Sequence, residues 1–285
     1  MRKLRIASLN TGSLIEPHWD ERRHETVAWI DRLNADVVCL QETWQSADSP
    51  NSAEWVADHC AADWHVAFGG LPFPDALWPD PSLLLGSSIL SRWPIDHHEL
   101  IPLPVDPQPA SPKPAFLLNL ELLRARTAGI DIFSTHLAPP PEQGYHRVAQ
   151  VLAIDDAIRE RSSPDSPLPP ILCGDFNAEP NSDEIRFLSG LATINGRSTY
   201  FQDAWTASRN QHAGWTRDGA ANELAKNMNL PPKRIDYIFV GNPSDRDPGA
   251  GLVTACDLAF HEQITAHHAS DHFGLVAEVL RRDGD

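Results

Sequence analysis

Ser270-Asp271-His272, standing just before the apolar run Phe273 to Val279, decides how the rest of the chain is read. Four polar clusters lie far upstream, each where a hydrophobic, strand-like run ends. They are Asn10 closing Leu4 to Asn10, Gln41-Glu42 after Asp36 to Leu40, Thr135-His136-Leu137 after Ile130 to Ser134, and Gly174-Asp175-Phe176-Asn177 after Ile171 to Cys173. Polar residues at strand ends lie on the rim of a sheet, where side chains from distant parts of a chain can meet in one site.

A fifth cluster, Arg234-Ile235-Asp236-Tyr237-Ile238, completes a series of carboxylates, carboxamides and histidines at strand termini. In order and wording this series resembles the endonuclease/exonuclease/phosphatase superfamily, the deoxyribonuclease I-like metal-dependent phosphohydrolases. The resemblance runs from Leu4 to Val279, and the first and last clusters must share one site. It therefore implies a single domain over residues 1–285.

Strand-like runs rich in Val, Ile, Leu and Phe occur at Leu4 to Asn10, Val37 to Gln41, His65 to Phe68, Ser87 to Leu90, Phe116 to Leu122, Ile130 to His136, Ile171 to Asp175, Ile235 to Val240 and Phe273 to Leu280. Helical spacing appears at Glu21 to Leu33, Ala53 to Cys60, Gln143 to Arg161 and Ser182 to Leu188. Several strand runs are continuously apolar, as when one face packs on another sheet and the other is covered by helices. Periodicity leaves other layered folds open. The specific α/β (α+β) architecture, a four-layer αββα sandwich of two stacked mixed β-sheets flanked by helices, is what the resemblance implies. Proline-rich stretches, Pro72 to Pro81, Pro102 to Pro114, Pro139 to Pro141 and Pro164 to Pro170, read as surface loops.

The formal charge of −16 bears on partners. Duplex nucleic acid is held through Lys and Arg contacts that release counterions, so no stable duplex binding is expected. Lys226, Lys233 and Arg234 make one basic knot near a site segment. No apolar stretch reaches the roughly 18 residues that cross a bilayer, so no integral membrane association is expected. The first strand begins within a few residues of Met1, leaving no room for a signal peptide. With the widely spaced cysteines Cys39, Cys60, Cys173 and Cys256 read as reduced thiols, the expected location is cytoplasmic.

A phosphoester repels nucleophiles with its anionic oxygens, so a hydrolase needs positive charge at the phosphoryl group, an activated water and help for the leaving oxygen. The resemblance assigns Glu42 as the main metal ligand, Asn10 as its assistant and Asp271 as a ligand acting through water, a sparse oxygen set suited to Mg²⁺ or Mn²⁺. It assigns His272 as general base oriented by Asp236, Asp175 as the group that positions or activates the water, and Asn177 and His136 as donors to the phosphoryl oxygens. Each residue also has a plainer account. Glu42 can be a loop charge and Asn10 a turn residue, Asp236 can pair with Arg234, and Asp175 to Asn177 can be an ordinary turn.

Trp215-Thr216 and Asn222, with Arg234, resemble the family's substrate-side segment, although an exposed loop Trp explains Trp215 as well. Arg147 and Gln150 read as structural, and the pairs His97-His98 and His267-His268 as surface histidines. Trp78 and Phe73 can form an apolar lip or pin their loop. The expected function is a metal-dependent phosphoesterase acting on a small phosphodiester or phosphomonoester. The alternatives are a nuclease or tyrosyl-DNA-phosphodiesterase-like enzyme working on nucleic-acid ends, a sphingomyelinase-like lipid-headgroup hydrolase, and a non-catalytic binding protein on the same fold.

Overall fold

A computed structural model describes residues 2–73, 80–105, 120–228, 230–243 and 249–281. The first sheet contains β1 (Arg2–Asn10), β2 (Val37–Gln45), β3 (His65–Pro72), β4 (Leu84–Ser91), β11 (Val253–Ala259) and β12 (Gly274–Arg281), in the order β11-β12-β1-β2-β4-β3. The second contains β5 (Ile95–Pro102), β6 (Glu121–Thr127), β7 (Ile130–His136), β8 (Ile171–Asp175), β9 (Phe201–Asp203) and β10 (Asp236–Gly241), in the order β5-β6-β7-β8-β10-β9. Each sheet is mixed. A central parallel pair, β1 with β2 and β7 with β8, is flanked by antiparallel neighbours.

Helices cover both outer faces. In α1 (Trp19–Leu33), Thr26, Trp29, Ile30 and Leu33 recur at helical spacing and are buried. With Ala53 and Val56 of α2 (Ser52–His59), the apolar residues of α1 pack on Ala7, Leu9, Val38, Leu40 and Leu90 of the first sheet. Asn51 caps α2 by accepting hydrogen bonds from the Ala53 and Glu54 amides. Across the molecule, Val151, Ile154 and Ile158 of α3 (Gly144–Arg161) and Ile185 and Leu188 of α4 (Asp183–Leu188) pack on Leu122, Phe133, Leu172 and Phe239 of the second sheet. A short α5 (Ala204–Ala207) places Trp205 against the core between the sheets. The layers are thus helices, sheet, sheet, helices, the expected four-layer sandwich.

The inner faces carry the gradient that makes a site. Side chains two apart on a strand share a face, so Leu4 and Ile6 lead to Ser8 and Asn10, and Val37 and Cys39 lead to Gln41. Likewise Ile130 and Ile132 lead to Ser134 and His136, and Ile171 and Cys173 lead to Asp175. The aliphatic and thiol members form one dry cluster between the sheets. Above them, Gln41 Nε2 joins the sheets, donating to Ser134 Oγ at 3.0 Å and Ser8 Oγ at 3.4 Å. The carboxylates and imidazoles lie at the outermost level.

Three strands were not expected from sequence: β5, β9 and β11, all at sheet edges. The run expected from Phe116 begins at Glu121, with residues 116–119 outside the described residues, as is Trp78. Among the described residues, no helix is long and apolar enough to cross a membrane.

Candidate active site

Glu42 reaches the site through a local irregularity. Leu40 pairs with Ser88 and Thr43 with Gly86, so Gln41 and Glu42 together face the single residue Ser87. This is a β-bulge, which re-aims a side chain at the end of a ladder. Glu42 has φ of 55°, a left-handed conformation that is uncommon and costly for a residue with a side chain. Thr11 Oγ1 and Ser13 Oγ donate to backbone carbonyls of Gln41 and Glu42 and hold the bulge.

Asp175 is the centre of the cluster. The register of β7 and β8 sets His136 beside Asp175, and that of β8 and β10 sets Asp236 opposite it. This close approach needs Gly174, whose φ is 152° and where an added Cβ would lie 2.0 Å from the Thr135 carbonyl oxygen. Asp175 Oδ2 accepts from Asn10 Nδ2 at 3.0 Å and lies 3.5 Å from His136 Nε2 and 3.8 Å from His272 Nε2. Its Oδ1 accepts from the Asn177 amide at 2.8 Å. Asn177 Nδ2 spends one hydrogen on the Leu137 carbonyl at 3.0 Å, leaving the other for a ligand.

His272 Nδ1 is 2.9 Å from Asp236 Oδ2, and both residues are buried. Asp236 does not pair with Arg234, so the plainer account of that carboxylate fails. Burial opposes charge on His272, but Asp236, Asp271 and Asp175 outweigh it and raise the imidazole to about 10. Thr216 Oγ1 accepts from the Ile235 and Asp236 amides, and the Thr216 carbonyl accepts from the Phe273 amide at 2.6 Å. One residue thereby braces both members of the pair.

Several expectations require correction. Asn10 is held at both ends of its amide, with Oδ1 accepting from the Gly12 amide at 3.0 Å and Nδ2 directed at Glu42 and Asp175, each at 3.0 Å. It tethers two carboxylates. Asn222 is fully buried, donating to the Ser270 carbonyl at 2.8 Å and accepting from the Leu224 amide, so it braces Ser270-Asp271-His272 and lines no substrate surface. Arg234 is also buried, with Nη1 and Nη2 at 3.1 and 2.8 Å from the two Asp203 oxygens, so its guanidinium fork is directed at Asp203. His268 is buried and paired with Glu223 instead of lying free on the surface. Asp271 is bonded to Arg217, which nothing in Trp215-Thr216-Arg217 marks as a partner of the segment before the last strand. Trp215 is 47% exposed, whereas Arg147 and Gln150 are structural, bonding Glu184 and the backbone of 138–141.

The donor set fits a hard cation. Glu42, Asp175, Asp236 and Asp271 crowd one rim, and Asp236 Oδ1 is buried without a hydrogen-bond partner. Asp175, Asp236 and His272 each present a ligand atom within 4.8 Å of the others. Carboxylate oxygens in such excess are the chemistry of a divalent metal site.

Comparison with known proteins agrees with this geometry. The Endonuclease/Exonuclease/phosphatase family profile matches residues 7–272, from β1 to the last residue of Ser270-Asp271-His272. The uncharacterized protein YbhP of Escherichia coli strain K12 is 26% identical over 263 residues, covering 88% of this chain and 85% of its own. The 2',5'-phosphodiesterase 12 of Rattus norvegicus is 27% identical over 184 residues, which are 57% of this chain but only 28% of that protein. This chain thus spans under a third of that relative. Among solved structures, D. rerio TDP2 complexed with single strand DNA product has a TM-score of 0.69 at 20% identity, covering 97% of this chain and 98% of that one. The endonuclease/exonuclease/phosphatase from Beutenbergia cavernae has a TM-score of 0.66 at 21% identity, covering 99% and 72%. Likeness at these identities is one of fold. A match that begins in β1, ends on His272 and encloses every strand terminus of the cluster places this chain in the endonuclease/exonuclease/phosphatase family.

Proposed function

We propose that this protein is a divalent-metal-dependent phosphoesterase in which water attacks phosphorus directly, without a covalent enzyme intermediate. The observation that carries this reading is the convergence of His272, Asp236 and Asp175, with Nδ1 to Asp236 at 2.9 Å and Nε2 to Asp175 at 3.8 Å. Asp236 fixes the tautomer and orientation of the imidazole, which leaves Nε2 to take a proton from water. Asp175 accepts the second hydrogen of that water and aims its lone pair. His136 and the free Nδ2 hydrogen of Asn177 stand beside Asp175 and donate to the phosphoryl oxygens as charge develops.

Glu42 and Asp271 would hold Mg²⁺ or Mn²⁺, since such ions prefer hard carboxylate oxygens to imidazole. When bound, such an ion would supply positive charge to the phosphoryl oxygens and would offset the field of the carboxylates that hold the proton on His272, which leaves the imidazole free to act as base.

A small phosphodiester or phosphomonoester suits an acidic protein better than a long duplex. A nucleic-acid end is the second reading, favoured by fold likeness to TDP2 complexed with single strand DNA product. The test is hydrolysis of bis-(p-nitrophenyl) phosphate and p-nitrophenyl phosphate with Mg²⁺, Mn²⁺ or chelator. Metal-dependent turnover that vanishes in Asp175→Ala is the expected result. Turnover that persists in chelator, or in Asp175→Ala, would overturn the proposal.

A further inference from the structure

The loop that leads from β1 into α1 holds an acid that the proposed mechanism does not use. Glu16 is tied down along its backbone: its N–H donates to the Gly12 carbonyl at 2.9 Å, and its carbonyl accepts from Arg22 Nη2 at 3.0 Å. The same Nη2 donates to the Gly12 carbonyl at 3.0 Å. Residues 12–16 therefore close into one turn, and Gly12 leaves the space that the Glu16 side chain uses. Gly12 has φ of 51°, and a Cβ added there would stand 2.9 Å from Glu16 Cγ, 3.2 Å from Asp271 Oδ1 and 3.4 Å from Ser270 Oγ. A side chain at position 12 would have to displace one of them. Glu16 and Asp271 thus border one small space beside the proposed cation site.

The charge of Glu16 is poorly matched. The side chain is half-buried, and among the described residues no hydrogen-bond donor meets its carboxylate. Burial pushes the carboxyl up and Asp271 adds to that, Arg22 and Arg217 oppose them, and Glu42 raises it again. Both guanidiniums are directed elsewhere: Arg22 spends its donors on backbone carbonyls, and Arg217 turns to Asp271. Asp236 Oδ1, buried on the same rim, also lacks a partner. Half-buried carboxylates held near one another are costly unless a positive charge stands among them.

We propose that Glu16 is a third carboxylate of the cation site, set beside Glu42 and Asp271 by the missing side chain of Gly12, an inference that rests on the metal-dependent reading of that site. Mg²⁺ and Mn²⁺ keep several waters when few carboxylates hold them, and a carboxylate one layer out accepts hydrogen bonds from such waters. In this role Glu16 is a positioning residue, adding negative charge and orienting water at the ion.

The test is equilibrium binding of Mn²⁺ to the full chain without substrate, read from the paramagnetic resonance signal of the free ion, for the wild type, Glu16→Gln and Asp58→Asn. Asp58 is an exposed acid near the end of α2 and controls for the loss of one negative charge. Glu16→Gln is expected to raise the Kd about tenfold or more, and Asp58→Asn to leave it within about twofold. Metal-free thermal unfolding, followed by circular dichroism, should hold or rise in Glu16→Gln, because repulsion with Asp271 is relieved. Opposite signs in the two measurements are the signature of a carboxylate kept for a cation. An unchanged Kd in Glu16→Gln, an equal loss in Asp58→Asn, or a lower melting temperature alongside the weaker binding would overturn the assignment. A wild-type chain that binds no Mn²⁺ sinks the metal-dependent reading as well, whereas a binding wild type with an unchanged Glu16→Gln sinks this inference alone.

Discussion

His272 takes its character from the carboxylates around it and its orientation from Asp236. Removing the ring in His272→Ala leaves Asp236 buried without its partner but disturbs no strand pairing. We expect kcat to fall by about 10²- to 10⁴-fold, the usual worth of a positioned acid–base group, with circular dichroism and the midpoint of metal activation unchanged. Steady-state kinetics across a metal titration checks this, and a variant that keeps the full rate would remove His272 as base. Glu121 gives a prediction of the opposite kind. It is 2% exposed, Oε1 lacks a partner, and burial raises its carboxyl to about 8 against a partial offset from Ser87. Above its ordinary value near 4.5, the unfolded carboxyl ionises while the folded one stays protonated. The native state then binds more protons, so stability falls as pH rises, by about 1.4 kcal/mol per unit, and levels off above the folded value. Glu121→Gln removes this slope, so the variant should gain on the wild type between about pH 5 and pH 8. Parallel urea-midpoint profiles for the two proteins would contradict this.

Elements carry what single side chains cannot. The guanidinium of Arg22 at the start of α1 spends all its N–H donors on the carbonyls of Pro17, Thr11, Ala269, Gly12 and Glu16. It thereby clamps the loop after β1, whose Ser13 supports Glu42, to the residue before Ser270. Lysine keeps the charge but has three donors and no planar fork. Arg22→Lys should lose roughly 2–4 kcal/mol, because buried carbonyls go unpaired, and activity should fall with it. Denaturant unfolding measures this, and a loss below about 0.5 kcal/mol would show that the clamp is dispensable. The same scale explains the strands missed in the sequence. β5, β9 and β11 pair on one side only, so they need no continuous apolar run, and Ile95–Pro102 carries Asp96, His97, His98 and Glu99 instead.

At the scale of the whole molecule, the net charge of −16 acts on every polyanion that approaches. The basic knot does little against it, since Arg234 is spent on Asp203 and Lys233 lies 3.5 Å from Glu179. A short labelled DNA duplex should therefore show no tight binding by fluorescence anisotropy at about 0.2 M salt and only weak binding at about 0.05 M. High affinity with a steep salt dependence would mean that a basic face is assembled in solution. The gradient between the sheets is likewise a property of the whole: the dry cluster of Ile6, Cys39, Ile132 and Cys173 holds the sheets together at one level, and Asn10, Gln41, His136 and Asp175 face one another at another.

Local wording was enough to single out Glu42, Asp175, Asp236 and His272, which the structure brings to one end of the sandwich, and to find most of the central strands. A strand end that is polar after an apolar run is a local signal, and each of the family's motifs spans only a few residues. Whether Asn10 turns its oxygen or its nitrogen to Glu42, whether Arg234 faces the cleft or Asp203, and that Arg217 meets Asp271 all depend on partners far along the chain. Those contacts exist only once two sheets have closed on each other, because register and burial, and no spacing within a motif, decide which of several polar groups is left without a partner.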